Sequence, residues 1–551
     1  MATKNGIGLS LLSAFLLWLA WPPMPYTTPL LFIALVPLLL AVDRIAGGAS
    51  AKKGKQIFLT AGLTFFLWNM ASTYWIYNAI SAYNQGFSGA IISGVVSIIP
   101  FGLGALLLAI AFWLYYRIKS FAGKWLSYVG FISIFISMEY LQQTWDLAFP
   151  WMTLGNGLSG MHQLAQWYDA TGTYGGSLWI LISNIVAFEA WKRLRIEKGY
   201  LKIRTGLAWL LILIIPATLS LFRYFNYKEV LNPSNIVVAQ PNIDPYKKFG
   251  SISPPQQVAM LARISDSVAQ INTEYFIWPE TAIPNYAEEE RIHSNPEYIQ
   301  AQAFLSKYKN GTLITGIESI KWYDTEKTLS AKFVPSYNRY IDNFNTAMQI
   351  ENSSNVQFYH KSKLVPGVEK MPWPAVTSFL KPVFEQLGGT VGGWGWQEGP
   401  AVFYAQSGIG VAPAVCYESL WGDWIGRSVK DGAQFIAIIT NDGWWGNTSG
   451  KDQHLMYAKL RAIETRRYVA RSANTGISAV IDQRGDIIKK AAWWTRTAIN
   501  ADINLNSELT FYVKSGDIIA KSSVILAMFS IIYLCFKTIV NRRSSRKTTA
   551  I

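Results

Sequence analysis

The hydrophobic pattern changes character along the chain. Residues 1–224 carry long apolar runs with short polar breaks, whereas residues 225–515 carry short runs of strand length. About 20 apolar residues cross a bilayer as a helix. Such runs lie at 6–21, 29–42, 57–79, 88–115, 126–145, 175–191, 206–222 and 517–540. The expectation is a polytopic α-helical membrane domain of eight spans. Seven fall in 1–224, and 516–551 holds the eighth with a basic tail. The first run does not read as a cleaved leader. No A-x-A-like site follows it, and Trp21, Pro22 and Pro23 lead straight into the next run.

Within 225–515, Asn235–Gln240, Tyr275–Trp278, Thr312–Ile317, Phe344–Ile350, Val402–Tyr404, Gly410–Val415, Phe435–Thr440 and Gly476–Asp482 read as strands. Residues 256–272, 297–309 and 452–467 read as helices. Alternation of this kind predicts an α/β domain with covered sheet faces. The glycine-rich stretch Gly388–Gly399 reads as a flexible loop. Its Trp394 and Trp396 suit either a lipid interface or a core.

Charge sharpens the picture. Charged residues make up 15% of the chain and apolar ones 51%, against about 25% charged in soluble proteins. An ordinary soluble or disordered chain is excluded. Lys4 and the segments 43–56, 116–125, 192–205 and 542–547 carry eighteen basic residues against Asp43 and Glu197, while loops 22–28, 80–87 and 146–174 carry none. Basic loops stay cytoplasmic, so both termini are expected in the cytoplasm and 225–515 on the non-cytoplasmic side of the membrane. Segment 225–515 is nearly neutral, with 28 basic and 27 acidic residues. The surplus of +15 is therefore a topology signal, and no nucleic-acid partner is expected.

Two cysteines exclude a disulfide scaffold, and Cys535 lies inside the last apolar run. Cys416 ends the run GVAPAV, where a strand delivers a side chain into a turn. Glu280 stands in WPETAIP, a stiff loop between two prolines, and Lys361 in FYHKSKLVP beside aromatics. Each alone also reads blandly, as an inert buried thiol, a helix cap and an exposed strand lysine. Together they form a set: a carboxylate takes the thiol proton, sulfur attacks a carbonyl, and an ammonium and a backbone N–H hold the oxyanion. No serine elbow, HExxH or phosphate loop competes. The four histidines are too scattered for a metal site, and His360 is expected on the strand face opposite Lys361. No metal or diffusible cofactor is expected.

The order WPE, K-x-x-LVP, CYE resembles the nitrilase superfamily with its Glu-Lys-Cys triad. Joined to eight spans, it is similar to the apolipoprotein N-acyltransferases of Gram-negative-type envelopes. Phe149-Pro150-Trp151, Gln240-Pro241-Asn242-Ile243 and Asn345-Thr346-Ala347 also resemble family motifs. The resemblance implies a nitrilase-like α-β-β-α sandwich. It assigns Glu280 as general base, Lys361 as oxyanion partner and Cys416 as nucleophile. It places Glu369, Tyr417 and Glu418 among required positions and Phe249 where the family has a tryptophan. After LVP the family has Phe-Gly-Glu, and this chain has Gly367-Val368-Glu369. The implied reaction passes an acyl chain from a phospholipid, through a thioester on Cys416, to the N-terminal amine of a diacylglyceryl-modified apolipoprotein. Two rivals stand beside it: a membrane-tethered amidase or nitrilase hydrolysing small C–N bonds, and a transporter or lipid-binding scaffold with a degenerate domain. Glu139, near the outer end of a span, is expected to make a structural hydrogen bond. Trp145, Trp151 and Trp167 are expected to anchor the lipid interface.

Overall fold

The computed structural model describes residues 4–81, 86–196, 200–248, 250, 252–377, 379 and 393–548. The apolar runs fall on helical backbone: Lys4–Leu19, Val36–Gly47 behind a 3-10 turn at Thr28–Phe32, Lys53–Ser72, Gly86–Lys119, Lys124–Thr144, Thr173–Ile196, Tyr200–Asn226 and Ile518–Thr548. The run 57–79 is broken, its end forming a separate short helix, Trp75–Ser81. Among the described residues, four helices are by length and composition long and apolar enough to cross a membrane: Thr28–Gly47, Gly86–Lys119, Ile203–Asn226 and Ile518–Asn541. On Ile203–Asn226 the side chains of Leu207, Ile214, Leu219 and Phe222 are exposed. Such an outward apolar face suits hydrocarbon, not water.

The remainder forms two sheets. The first half supplies β1 (Pro233–Gln240), β2 (Thr273–Ile277), β3 (Ile283–Glu288), β4 (Thr312–Tyr323), β5 (Lys332–Val334), β6 (Arg339–Glu351) and β7 (Val356–His360). The second supplies β8 (Phe403–Tyr404), β9 (Gly410–Val415), β10 (Phe435–Thr440), β11 (Val469–Ala473), β12 (Ala479–Ile481), β13 (Ile487–Lys490) and β14 (Thr497–Asn504). One sheet runs β14-β1-β2-β4-β6-β5, with β3 on β4 and β7 on β6; the other runs β13-β12-β11-β10-β9-β8. β1, β2 and β4 are parallel, crossed by helices Pro254–Asp266 and Pro296–Leu305. β9, β10 and β11 are likewise parallel, crossed by Gly422–Lys430 and Ser449–Thr465.

Side-chain alternation builds the layers. Ile236 and Val238 of β1 face Phe435, Ala437 and Ile439 of β10 between the sheets. Val237 and Ala239 face the helix layer with Val258, Leu261 and Phe304, and Ile436 and Ile438 face the other with Ile425 and Ala458. Both faces of each sheet are covered, which is why these strands read as continuous apolar runs. The result is an α-β-β-α sandwich. Helix Pro254–Asp266 starts at a Ser253/Gln256 capping box with proline in its first turn, and it ends short of the expected 272. Strand β11 escapes the apolar pattern because it buries Arg471 and Ser472.

The two halves share one core. Tyr417, Leu420, Trp421, Tyr457 and Ile463 of the α/β domain pack in a single cluster with Trp21, Trp68, Trp75 and Trp151. Trp151 is therefore not an interface anchor. It is fully buried, and its indole donates to Gln453 Oε1 at 2.7 Å. Trp145 meets Trp373 edge-on and Trp167 packs on Trp179, so both are half-buried in protein contacts. Glu139 accepts from the Leu154 N–H at 2.7 Å and so holds the turn Leu154–Ala165. Phe276 is fully buried against Phe304 and Tyr308. Phe276→Ala is expected to cost about 3–5 kcal/mol, read as a lowered unfolding midpoint of the α/β domain.

Candidate active site

Glu280, Lys361 and Cys416 all stand just past the carboxyl ends of strands, after β2, β7 and β9. Ligand sites of open α/β sheets gather at such ends. The Glu280 loop lies flat on β4. A Cβ on Gly316 would fall 2.4 Å from the Thr281 nitrogen and 2.7 Å from the Glu280 Cα, so only glycine permits this approach. Thr281 takes a φ of 45°. Lys248, almost fully buried, donates to the Glu280 carbonyl at 3.0 Å and to the Thr281 hydroxyl at 2.7 Å. Burial lowers the Lys248 ammonium to about 8, against the pull of Glu280 and Glu318.

Lys361 continues the β6–β7 ladder, its N–H donating to the Asn345 carbonyl at 2.8 Å. Its side chain is 1% exposed. Nζ donates to Glu280 Oε1 at 3.2 Å and to Glu369 Oε1 at 2.8 Å. The Asn345 amide donates to Glu280 Oε1 at 2.8 Å, and Glu369 Oε2 accepts from the Val365 N–H at 2.8 Å. Burial alone depresses an ammonium; here the facing Glu280 and Glu369 outweigh it and hold Lys361 well above the usual lysine range. Lys363 points elsewhere, over the Trp424 ring at 4.1 Å.

Cys416 opens a 3-10 turn, Cys416–Leu420, with a φ of 52°. A non-glycine residue held there stores about 1–3 kcal/mol and needs its surroundings to impose the geometry. The residue is half-buried. Enclosure of the thiol pushes its pKa up, the Glu280 charge adds to this, and Lys361 opposes it. At rest the group is a neutral thiol. An attack by sulfur from this state needs an acceptor for the thiol proton.

Glu418 is fully buried and ties the two loops together. It accepts from the N–H groups of Val415 (2.9 Å), Ser362 (2.6 Å) and Lys363 (3.1 Å), and from the Tyr359 hydroxyl (2.8 Å). The Tyr417 hydroxyl donates to the Ala148 carbonyl at 2.9 Å, reaching the apolar half. His360 lies on the other side of its strand, as expected, paired with Glu289 at 2.6 Å. Trp394 is buried, and its N–H donates to the Glu369 carbonyl at 3.3 Å; Trp396 remains partly exposed. Phe249 and residues 388–392 lie outside the described residues. Lys248, and His454 behind Cys416, carry no signal in the chain that separates them from neighbouring polar residues.

Lys361 and Glu280 act on the thiol in opposite directions, which gives a test. In a Cys535→Ser background, the pH midpoint of Cys416 alkylation is expected to rise with Lys361→Met and to fall with Glu280→Gln. Equal midpoints would separate Cys416 from this cluster. Gly316→Ala is expected to displace the Glu280 loop and shift the midpoint in the same direction as Glu280→Gln.

A sequence model of carbon-nitrogen hydrolases matches residues 237–508, and one of the apolipoprotein N-acyltransferase N-terminal domain matches residues 13–186. The chain is 27% identical over 523 residues to an apolipoprotein N-acyltransferase of Chlorobaculum tepidum, covering 93% of each. It is 26% identical over 520 residues to one of Geobacter metallireducens, covering 94% of this chain and 92% of that one. Among solved structures, Saccharomyces cerevisiae Nit3, of branch 10 of the nitrilase superfamily, aligns with 53% of this chain and 95% of its own at 15% identity and a TM-score of 0.35. With both sequence models in one chain and relatives matched over nearly their whole length, the chain is similar from end to end to the apolipoprotein N-acyltransferases.

Proposed function

We propose that the protein N-acylates the lipid-modified N-terminal cysteine of apolipoproteins, taking the acyl chain from a phospholipid by a ping-pong reaction through a thioester on Cys416. The observation that carries this reading is the placing of the nucleophile's turn. Tyr417, Leu420 and Trp421, which follow Cys416 directly, are part of the core of the apolar helices. A hydrolase of small soluble amides has no need of that contact; an enzyme whose two substrates are both lipid-anchored does.

In the first half-reaction Glu280 accepts the thiol proton as Cys416 Sγ attacks the ester carbonyl. The oxyanion is held by the Lys361 ammonium and the backbone N–H following Cys416. Collapse breaks the C–O bond, Glu280 returns the proton, and lysophospholipid leaves. In the second half-reaction the acceptor's α-amine attacks the thioester and gives its proton to Glu280. The C–S bond breaks, the thiol re-forms and an amide results. Glu369 orients Lys361, and Glu418 fixes the loop that carries it. Water is kept out, because it would discharge the thioester by hydrolysis. In this reading eight helices span the cytoplasmic membrane, both termini are cytoplasmic, and 225–515 works in the periplasm at the outer leaflet.

Incubated with phospholipid and no acceptor, the protein is expected to gain one fatty acyl mass on the peptide containing Cys416. Cys416→Ala abolishes this adduct, and Glu280→Gln slows its formation by about 10²-fold or more. No adduct, with release of free ammonia from small amides, would favour the amidase reading instead.

A further inference from the structure

We propose that Gln453 and His454 are positioning residues through which the apolar helices set the geometry of the Cys416 nucleophile. They are consecutive on helix Ser449–Thr465, so they point about 100° apart. Gln453 faces the apolar half. Its Nε2 donates to the Pro22 and Ser72 carbonyls, each at 2.9 Å, and its Oε1 accepts from the indoles of Trp75 (3.2 Å) and Trp151 (2.7 Å). The amide's donors and acceptor positions are thereby satisfied by three separate stretches of the apolar half, in a site only 1% exposed.

His454 faces the nucleophile. Its Nδ1 lies 3.0 Å from Asp442 Oδ1, and Asp442 is itself held by Thr440 at 2.8 Å and by Arg471. Its Nε2 lies 2.8 Å from Ser419 Oγ and 3.2 Å from the Cys416 carbonyl oxygen. The Ser419 hydroxyl donates to that same carbonyl at 2.8 Å. The Cys416 peptide, with its φ of 52°, is therefore gripped at its carbonyl by a buried Ser-His-Asp arrangement that reaches no solvent. The imidazole is packed between the rings of Trp151 (5.7 Å) and Trp445 (5.4 Å), and Trp151 is also a partner of Gln453. A helix is stiff over two residues, so the hold on Gln453 fixes where the ring of His454 sits. Reacting groups tolerate displacements of only about 0.5 Å.

The test uses the full chain in lipid nanodiscs, in a Cys535→Ser background, with iodoacetamide as the probe of Cys416. This readout needs no acyl donor, so it stands or fails separately from the acyl-transfer reading. Gln453→Leu and His454→Leu are each expected to slow alkylation by about tenfold. Acyl capture is expected to show a lower kcat with KM for phospholipid held within about twofold. His454→Gln, whose amide can hydrogen-bond Ser419 and the carbonyl in place of the ring, recovers much of the loss. The double variant is expected to be no slower than the slower single one, because both changes break one linkage. Asp486→Asn, which loosens the same junction at His162, leaves alkylation unchanged. Trp151→Phe removes one bond to Gln453 and is expected to act in the same direction with smaller size, so the idea remains testable if Gln453→Leu does not fold. Alkylation at the parent rate in both Gln453→Leu and Trp151→Phe, or losses that multiply in the double variant, would overturn it.

Discussion

One buried ammonium between a buried carboxylate and a half-buried one organises the site. Lys361 has almost no contact with water, and its charge is tolerable only because Glu280 and Glu369 both face it. Removing one partner of such a pair leaves an uncompensated charge at a cost of about 3–5 kcal/mol. The constraint runs outward into the backbone. Glu280 must reach Lys361 from β2, which requires the bare Cα of Gly316. Glu369 must reach it from the segment after β7, which is anchored by the Val365 N–H. Asn345, on β6 between them, completes the carboxylate's shell.

The second organising feature is the turn that begins at Cys416. Its first residue faces the charge cluster, its third is the buried carboxylate that ties this turn to the Lys361 loop, and Tyr417 and Leu420 lie in the core of the apolar helices. Cys416, the Lys361 loop and the apolar helices thus meet within five residues. Separating the halves would expose Trp421 and Tyr457 and would also strip Gln453 of its partners. The two halves fold against each other through a core, where a simple tether would leave them independent.

Much of this was legible in the chain. The apolar runs located the helices, and the strands that alternate into two cores, such as β1 and β10, stood out as uninterrupted apolar segments. The positions of Glu280 and Cys416 at strand ends follow from the same reading, whereas β7, which ends just before Lys361, is not among the expected strands. What escaped it escaped for physical reasons. β11 and β14 satisfy polar side chains inside the fold, as Arg471 with Asp442 and Asn500 with Asn235 do, so their periodicity is masked. Lys248 is one of two adjacent lysines and acquires its role only because the chain folds beneath Glu280. Trp151 looked like an interfacial aromatic because composition cannot tell an indole facing lipid from one facing Gln453. His454 is one of four histidines scattered along the chain, and its partners Asp442 and Ser419 lie 12 and 35 residues away, so no local motif marks it.

The elevated thiol pKa fits chemistry carried out beside hydrocarbon. A standing thiolate would add a negative charge to a site that already holds Glu280 and Glu369 against Lys361 alone. Starting from a neutral thiol, the proposed attack moves one negative charge from Glu280 to the oxyanion, with the proton travelling the other way. The cluster carries the same net charge before and after, and the moving charge stays beside Lys361 throughout. Because charge is displaced and never added, the step imposes little solvation demand, and a water-poor pocket can support it. The same arithmetic holds for the second half-reaction, where the amine's proton replaces the thiol's. A carboxylate paired with a high-pKa thiol is therefore a combination suited to a dry, lipid-facing site, whereas a low-pKa thiolate of the kind found beside histidine in exposed sites would demand water that a thioester cannot tolerate.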